Sequence, residues 1–154
     1  MKKVILTIVA VLLVSLSVKA QPYNWAVGLR GGLTWGDVTV KHFTGPNTAI
    51  EVNGAISFNG FGWELAGMYE WHNALAGALN VYYGPGAHIG TFNDGNGQAL
   101  ALGILGTVGL EYKFGIPIAL SLDWRPHMTY QFGTAAPGLR FGWGDVGLGI
   151  KFCF

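Results

Sequence analysis

Three kinds of side chain in this sequence could carry chemistry: histidines, a serine and several carboxylates. His88, Ser121 and Glu111 would supply a base, a nucleophile and an acid, the set that a lipid-modifying hydrolase needs. No nucleophile motif surrounds Ser121, and single His and Ser residues are frequent by chance. We therefore interpret these residues as structural, and we expect no catalytic residue and no enzymatic activity.

The potential metal ligands do not form a recognisable site either. His42, His72 and His88 lack the spacing of a zinc site. Cys153 is the single cysteine, so an intramolecular disulfide is excluded. We expect no metal ion and no other cofactor.

The amino terminus has the pattern of a cleavable signal peptide. Lys2 and Lys3 precede an apolar run over residues 4–14, and Ala20 is a small residue at the predicted cut. The run is about half the roughly 20 residues that a transmembrane helix needs. We predict a signal peptide over residues 1–20 and one domain over residues 21–154. That domain has six basic and eight acidic residues, so nucleic acid is not an expected partner.

The mature chain predicts β-strands. Apolar residues alternate with polar or small ones, and Gly, Asn, Asp and Pro mark turns between the alternating runs. Trp35-Gly36-Asp37 and residues 73–77 are predicted turns, and Asn59-Gly60 is the strongest hairpin signal. Pro85 cannot donate to a ladder, so we expect a bulge or bend over residues 84–88. The eight predicted strands cover residues 25–33, 38–43, 48–58, 61–72, 79–92, 99–114, 117–130 and 138–154.

Charged residues share one face of these strands. Many glycines and alanines lie on the same face, whereas the other face carries bulky apolar and aromatic residues. Small residues suit the narrow interior of an eight-stranded barrel, where opposite charges can neutralise one another. We therefore predict an all-β fold, an eight-stranded antiparallel transmembrane β-barrel with up-and-down meander topology. The five basic and six acidic residues expected inside are Arg30, Lys41, Lys113, Arg125, Lys151, Glu51, Glu64, Glu70, Glu111, Asp123 and Asp145.

Aromatic residues cluster near strand ends, as expected for the two girdles at the membrane interfaces. With no apolar segment long enough for a helix, a closed barrel is the remaining way to satisfy every backbone group in lipid. An even strand count places both termini on one side. The predicted girdle residues are Trp25, Tyr69, Trp71, Tyr112 and Phe152 at one interface and Trp63 at the other.

Seven short motifs spread over the mature chain carry a resemblance to a known group. They are AVGLRGG at 26–32, VKHF at 40–43, LAGMYEWH at 65–72, YYGPGAHIG at 82–90, LEYKF at 110–114, IALSLDWRP at 118–126 and GDVGLGIKFCF at 144–154. Through them the sequence resembles the small outer-membrane β-barrel proteins of the Bacteroidota, and it is similar to OmpA-type and OmpX-type eight-stranded barrels. The resemblance implies an outer-membrane location with periplasmic termini. It also implies lipid and lipopolysaccharide as surroundings, periplasmic chaperones and the insertion machinery as partners, and Phe152 and Phe154 as a carboxy-terminal insertion signal.

Members of that group mostly lack an assigned activity, so the resemblance implies place and fold rather than a reaction. We expect a non-enzymatic monomer with a filled polar interior that serves envelope maintenance or adhesion through its surface loops. Three alternatives stay open. They are a narrow passive pore, a lipid-modifying barrel enzyme, and a soluble exported lipocalin-like binder in which the apolar face would point inward.

Overall fold

A computed structural model describes residues 23–58, 62–93, 98–133 and 137–154. The predicted signal peptide and the Asn59-Gly60 turn lie outside the described residues. Eight antiparallel strands form a closed barrel in chain order, which confirms the predicted fold class. The strands are β1 (Trp25–Gly32), β2 (Trp35–Gly45), β3 (Thr48–Ser57), β4 (Trp63–Ala76), β5 (Leu79–Asn93), β6 (Gln98–Lys113), β7 (Ile118–Phe132) and β8 (Gly138–Cys153).

The barrel closes between its first and last strands. β1 pairs with β2 on one side and with β8 on the other, from Ala26 opposite Cys153 to Gly32 opposite Gly147. This closure removes the free edge that an open sheet would expose. Among the described residues, no helix is long and apolar enough to cross a membrane.

Alternation along each strand decides which side chains enter the barrel. In β3, Ala49, Glu51 and Asn53 are buried, whereas Ile50 and Val52 are exposed. Successive side chains of a strand point to opposite faces, so one face fills the interior and the other surrounds the barrel. The polar face is the inner one here, which is the reverse of a soluble sandwich or lipocalin.

Strands β2 and β4 extend furthest into segments that the sequence predicts as turns. β2 begins at Trp35, because residues 35–37 continue the alternation and pair with β3, with Asp37 opposite Ala55. β4 continues to Ala76, and it accommodates the predicted turn residues through a register shift between Ala74 and Ala76. At both places, residues whose composition is typical of a turn instead form backbone pairs with a neighbouring strand.

No bulge occurs over residues 84–88, and the bend that the sequence also allows there stays a prediction. The β5–β6 ladder keeps one register from Leu79 to Asn93, with Pro85 opposite Gly106. The β4–β5 ladder also keeps its register but skips two pairs there, between Met68 opposite Gly86 and Trp71 opposite Tyr83. The chain accommodates Pro85 by omitting pairings, so no residue has to be inserted.

A true irregularity lies in the β7–β8 ladder instead. The register shifts between Arg125 and His127, and Gly144 opposite this point has a φ of 83°. A side chain at Gly144 would also meet the backbone of Arg125 and Pro126. Glycine adopts this left-handed conformation without strain, so Gly144 permits the register shift at this point.

The meander gives the barrel two distinct ends. We call the end at which β1 begins and β8 ends the terminal end; its turns are residues 46–47, 77–78 and 114–117. The opposite, loop end carries residues 33–34, 58–62, 94–97 and 133–137. Every connection is therefore between two and five residues long. The side chains that fill the barrel accordingly come from the strands.

Candidate functional site

The candidate site is the charged interior of the barrel. All eleven charged residues predicted inside do face the lumen, and nine of them are buried. The other two, Glu64 and Asp145, lie nearer the loop end, with side chains that are 23% and 14% exposed. The interior charges form two groups, which are linked by the ion pair between Arg125 and Glu51. Lys113 and Glu64 belong to neither group and have other partners.

The first group, the lysine cluster, consists of Lys41, Lys151, Glu51, Glu70 and Glu111. Lys41 Nζ lies 3.1 Å from Glu51 Oε2, 2.8 Å from Glu70 Oε2 and 3.2 Å from Glu111 Oε2. Lys151 Nζ lies 2.7 Å from Glu51 Oε2 and 3.5 Å from Glu111 Oε2. These side chains come from five different strands, so the cluster crosses the whole lumen.

The second group, the arginine cluster, lies toward the loop end and is built on Arg30 and Arg125. Arg30 Nε donates to Asp123 Oδ1 at 2.8 Å, and its Nη1 lies 3.2 Å from Asp37 Oδ2 and 3.6 Å from Asp145 Oδ2. Arg30 Nη2 also donates to the Asp145 carbonyl. One guanidinium thereby bridges three strands besides its own.

Arg125 joins the two clusters. Its Nη2 donates to Glu51 Oε1 at 2.9 Å, its Nε lies 3.1 Å from Asp123 Oδ1, and its Nη1 lies 3.5 Å from Asp37 Oδ2. Glu51 therefore receives Arg125 on one oxygen and both lysines on the other. Because an unpaired buried charge is strongly destabilising, this sharing is what permits so many ions inside.

Tyr82 packs between the two clusters, and the sequence did not single it out. It is fully buried, its ring lies 4.3 Å below Lys41 Nζ, and its hydroxyl donates to Asp123 Oδ2 at 2.9 Å. Its position in β5 has the same parity as the buried His88, which is a signal that could have placed it inside. Tyr82 therefore fills the lumen between the clusters and contacts both.

Asp37 is a second interior residue that sequence reasoning missed. We assigned it to a turn, but it is 7% exposed and contacts both arginines. Its parity with Thr39 and Lys41 in β2 was the available signal. With Asp37, the described residues place seven acidic and five basic side chains in the interior.

Lys113 and Glu64 face the lumen but belong to neither cluster. Lys113 Nζ donates to the carbonyls of Phe114 at 2.9 Å and Ile116 at 2.7 Å. It thereby holds the β6–β7 turn and makes no ion pair within the described part of the chain. Glu64 Oε2 instead lies 2.8 Å from His88 Nδ1.

The hydrolase residues considered from sequence do not come together. Ser121 lies opposite Glu111 in the β6–β7 ladder, whereas His88 lies opposite Gly103. Gly103 and Glu111 are eight residues apart on β6, which corresponds to about 26 Å along a strand. This separation rules out a direct relay among the three.

His88 has a different hydroxyl partner. Its Nε2 lies 2.9 Å from Thr129 Oγ1, so Thr129, His88 and Glu64 form a continuous hydrogen-bonded chain. That connectivity is the one a nucleophile, base and acid would have. Thr129 is 4% exposed, however, and it does not line the neighbouring cavity. The hydroxyl is therefore buried in this conformation.

Two cavities enter the barrel from opposite ends. The terminal-end cavity has a volume of about 550 Å³, and its lining includes Glu111 and Lys113. The loop-end cavity has a volume of about 140 Å³, and its lining includes Arg30 and Arg125. Lys41, Glu51, Lys151 and Tyr82 line neither cavity. The central side chains thus separate the two cavities. Among the described residues no cluster of His, Cys, Asp or Glu is arranged to hold a metal ion.

The outer face is apolar, with aromatic residues toward both ends. Trp25 is 43% exposed and stacks on His42, while Tyr69 and Trp71 pack edge to face. Trp63 begins β4 at the loop end. The remaining predicted girdle and insertion-signal residues at the terminal end are Tyr112, which is half-buried, and Phe152 and Phe154, which are exposed.

No protein-family model and no curated protein sequence matches this chain. Two solved structures are similar in fold. The N-terminal β-barrel domain of Pseudomonas aeruginosa OprF superimposes with a TM-score of 0.61 at 15% identity, over 87% of this chain and 100% of that domain. A de novo designed transmembrane β-barrel gives a TM-score of 0.57 at 15% identity, over 89% of this chain and 100% of the design. The chain therefore has the fold of small transmembrane β-barrels.

Proposed function

We propose that this protein is a non-enzymatic, monomeric integral barrel of the outer membrane that serves envelope maintenance. The proposal rests on the contrast between the two faces of the barrel. Paired charges cross the lumen, whereas the exterior is broadly apolar. A charged residue on the lipid side at mid-membrane would cost about 2–4 kcal/mol, so this arrangement suits a lipid surrounding. The paired charges between the two cavities favour a closed interior over a passive pore.

The route to the membrane is part of the proposal. Residues 1–20 direct export, and periplasmic chaperones and the insertion machinery then receive the chain through Phe152 and Phe154. The exposure of these two side chains, 55% and 63%, supports this role because a receptor could reach them. Both termini then lie in the periplasm, and lipid and lipopolysaccharide surround the outer face.

Adhesion at the loop end is the second candidate role. Leu33 and Trp143 are the most exposed of the large apolar side chains described, at 82% and 79%. The connections at this end are only two to five residues long, which leaves little surface for a specific partner. We therefore rank envelope maintenance first. Binding to host surfaces that is lost in Leu33→Ser and Trp143→Ser would reverse that order.

Membrane residence is tested by detergent partitioning and gel mobility. The folded protein should partition into detergent and migrate faster unheated than boiled, because a closed barrel resists unfolding by the gel detergent. A water-soluble monomer with no mobility shift would contradict the proposal and favour a lipocalin-like binder.

The closed interior is tested by single-channel recording in planar bilayers. We expect no steady openings for the unmodified chain. Tyr82→Ala, which removes the largest fully buried side chain between the two cavities, is the positive control. Steady openings of the unmodified protein would favour the passive pore, and removal of an acyl chain from lipopolysaccharide that disappears in His88→Ala would favour an enzyme.

A further inference from the structure

The terminal-end cavity has the dimensions of a ligand site. Its volume of about 550 Å³ lies within the roughly 300–1,000 Å³ typical of small-molecule pockets. A role in envelope maintenance does not use it. Apart from Glu111, the side chains that line it are not members of the central clusters, so they are available to a ligand.

One wall of the cavity is a set of packed aromatic rings. The rings of Tyr23 and Phe43 meet edge to face with centroids 4.9 Å apart, and Phe43 also packs against His72 at 4.8 Å. Glu111 accepts a hydrogen bond from the Tyr23 hydroxyl, which holds that ring in place. The wall is therefore pre-positioned, and it presents apolar ring surface to the body of a ligand.

The floor of the cavity holds a buried cation without a counter-ion. Lys113 is 4% exposed and lines the cavity. The other four buried basic residues make ion pairs, whereas Lys113 makes none with any described residue. Its ammonium has three donors, and two are used by the carbonyls of Phe114 and Ile116. One donor and a full positive charge remain for a ligand.

The rim adds neutral polar groups. Asn24, Asn47 and Asn80 line the cavity, and their side-chain amides make no hydrogen bond to another described residue. Each amide can both donate and accept, which suits hydroxyl groups that do the same. The neighbouring carboxylate, Glu111, already receives Lys41, Lys151 and Tyr23, so it does not offer a site for a cation.

We propose that the terminal-end cavity binds a small ring-shaped organic anion, such as a hexuronate, with its carboxylate on Lys113 and its ring against Tyr23 and Phe43. The three asparagine amides contact its hydroxyl groups. An uncharged sugar would leave Lys113 without a counter-ion, and inorganic phosphate would leave the aromatic wall uncovered.

The test uses the full chain folded in lauryldimethylamine oxide micelles, whose head group is neither a sugar nor an anion. Binding of D-glucuronate, D-glucose and inorganic phosphate is followed by NMR titration. We expect saturable binding of glucuronate, with glucose and phosphate at least tenfold weaker. Lys113→Met should weaken glucuronate binding roughly 10- to 100-fold, the effect of one charge-assisted hydrogen bond.

Arg140→Met is the matched control, because it removes an exposed cation at the loop end and should leave binding unchanged. Phe43→Leu and Asn80→Ala keep every interior charge, and each should weaken glucuronate binding severalfold. The heat-dependent gel shift shows which variants are folded. The proposal is overturned if glucuronate does not saturate, if phosphate binds as well, or if folded Lys113→Met binds like the unmodified chain. Should that variant not fold, unchanged binding in both Phe43→Leu and Asn80→Ala has the same consequence.

Discussion

The inner and outer faces of β7 are built from alternate residues of one strand, yet they differ completely in chemistry. Asp123 and Arg125 face inward and are 2% and 8% exposed, whereas Leu122 and Trp124 face outward and are 46% and 42% exposed. In water the apolar residues would be the inner ones, because their burial drives folding. The reversal is the arrangement expected in apolar surroundings, where the polar groups gain from being enclosed with one another.

Glycines make the inner face possible. A methyl group at Gly109 would meet the Tyr82 ring, and one at Gly147 would meet the Arg30 guanidinium. Large inward side chains thus find room where the neighbouring strand has a glycine. On the outer face, a methyl group at Gly54 would meet no atom within 4 Å. The same residue type is a packing requirement on one face and replaceable on the other.

The largest expected effect comes from removing one shared interior charge. Glu51→Gln leaves Lys41, Lys151 and Arg125 short of their common counter-ion, so we expect the free energy of unfolding to fall by about 3–5 kcal/mol. The measurement is equilibrium urea unfolding in lipid vesicles. Glu64→Gln is the control, since Glu64 is partly exposed and has His88 as its one ion-pair partner among the described residues. Its loss should be about 1 kcal/mol or less. Equal losses in the two variants would show that a carboxylate shared by three cations contributes no more to stability than one paired with a single histidine.

Placing a charge on the outer face should have the next largest effect. Leu122→Arg puts a cation in the middle of the apolar band, and it should destabilise the barrel by about 2–4 kcal/mol. Leu139→Arg, at the loop end of β8, should change stability by about 0–1 kcal/mol. Both are measured by the same unfolding experiment. If the two variants lose the same stability, depth in the membrane is not what distinguishes the positions.

The two classes of glycine provide a smaller, direct comparison. Gly109→Ala forces its new methyl group against Tyr82, so we expect a loss of about 1–3 kcal/mol. Gly54→Ala meets no atom and restricts the unfolded chain, so its effect should lie between zero and a gain of about 1 kcal/mol. Similar losses in the two variants would contradict the role of inward glycines in making room.

The smallest effect is a difference in reactivity that leaves stability unchanged. Cys153 is 4% exposed and faces inward, so maleimide should label it slowly in the folded barrel and rapidly in urea. Phe154→Cys combined with Cys153→Ser moves the thiol to a site that is 63% exposed, where folded and unfolded protein should react at similar rates. Rapid labelling of Cys153 in the folded barrel would show that the terminal end opens.

Alternation with period two was sufficient to predict eight strands and to place charges such as Lys41 and Glu111 on the inner face, because the parity of a residue decides its side of a strand. Local composition misled at Asp37, whose turn-like neighbours Trp35 and Gly36 are strand residues, and at Pro85, where pairings are skipped without a bulge. Parity and composition are properties of short segments, and neither of them determines how far along the barrel axis a residue lies.

Which inner residues meet is decided by the tertiary structure. Lys41 reaches Glu111 across 70 positions of sequence, and Lys151 reaches Glu51 across 100. These contacts depend on the stagger between strands, which is set by the register of all eight ladders together. The same stagger brings His88 to Thr129 and leaves Lys113 beside backbone carbonyls at the terminal end. The sequence alone thus determines which residues face the inside and the outside of the barrel, whereas the register of the closed barrel determines which charges become partners.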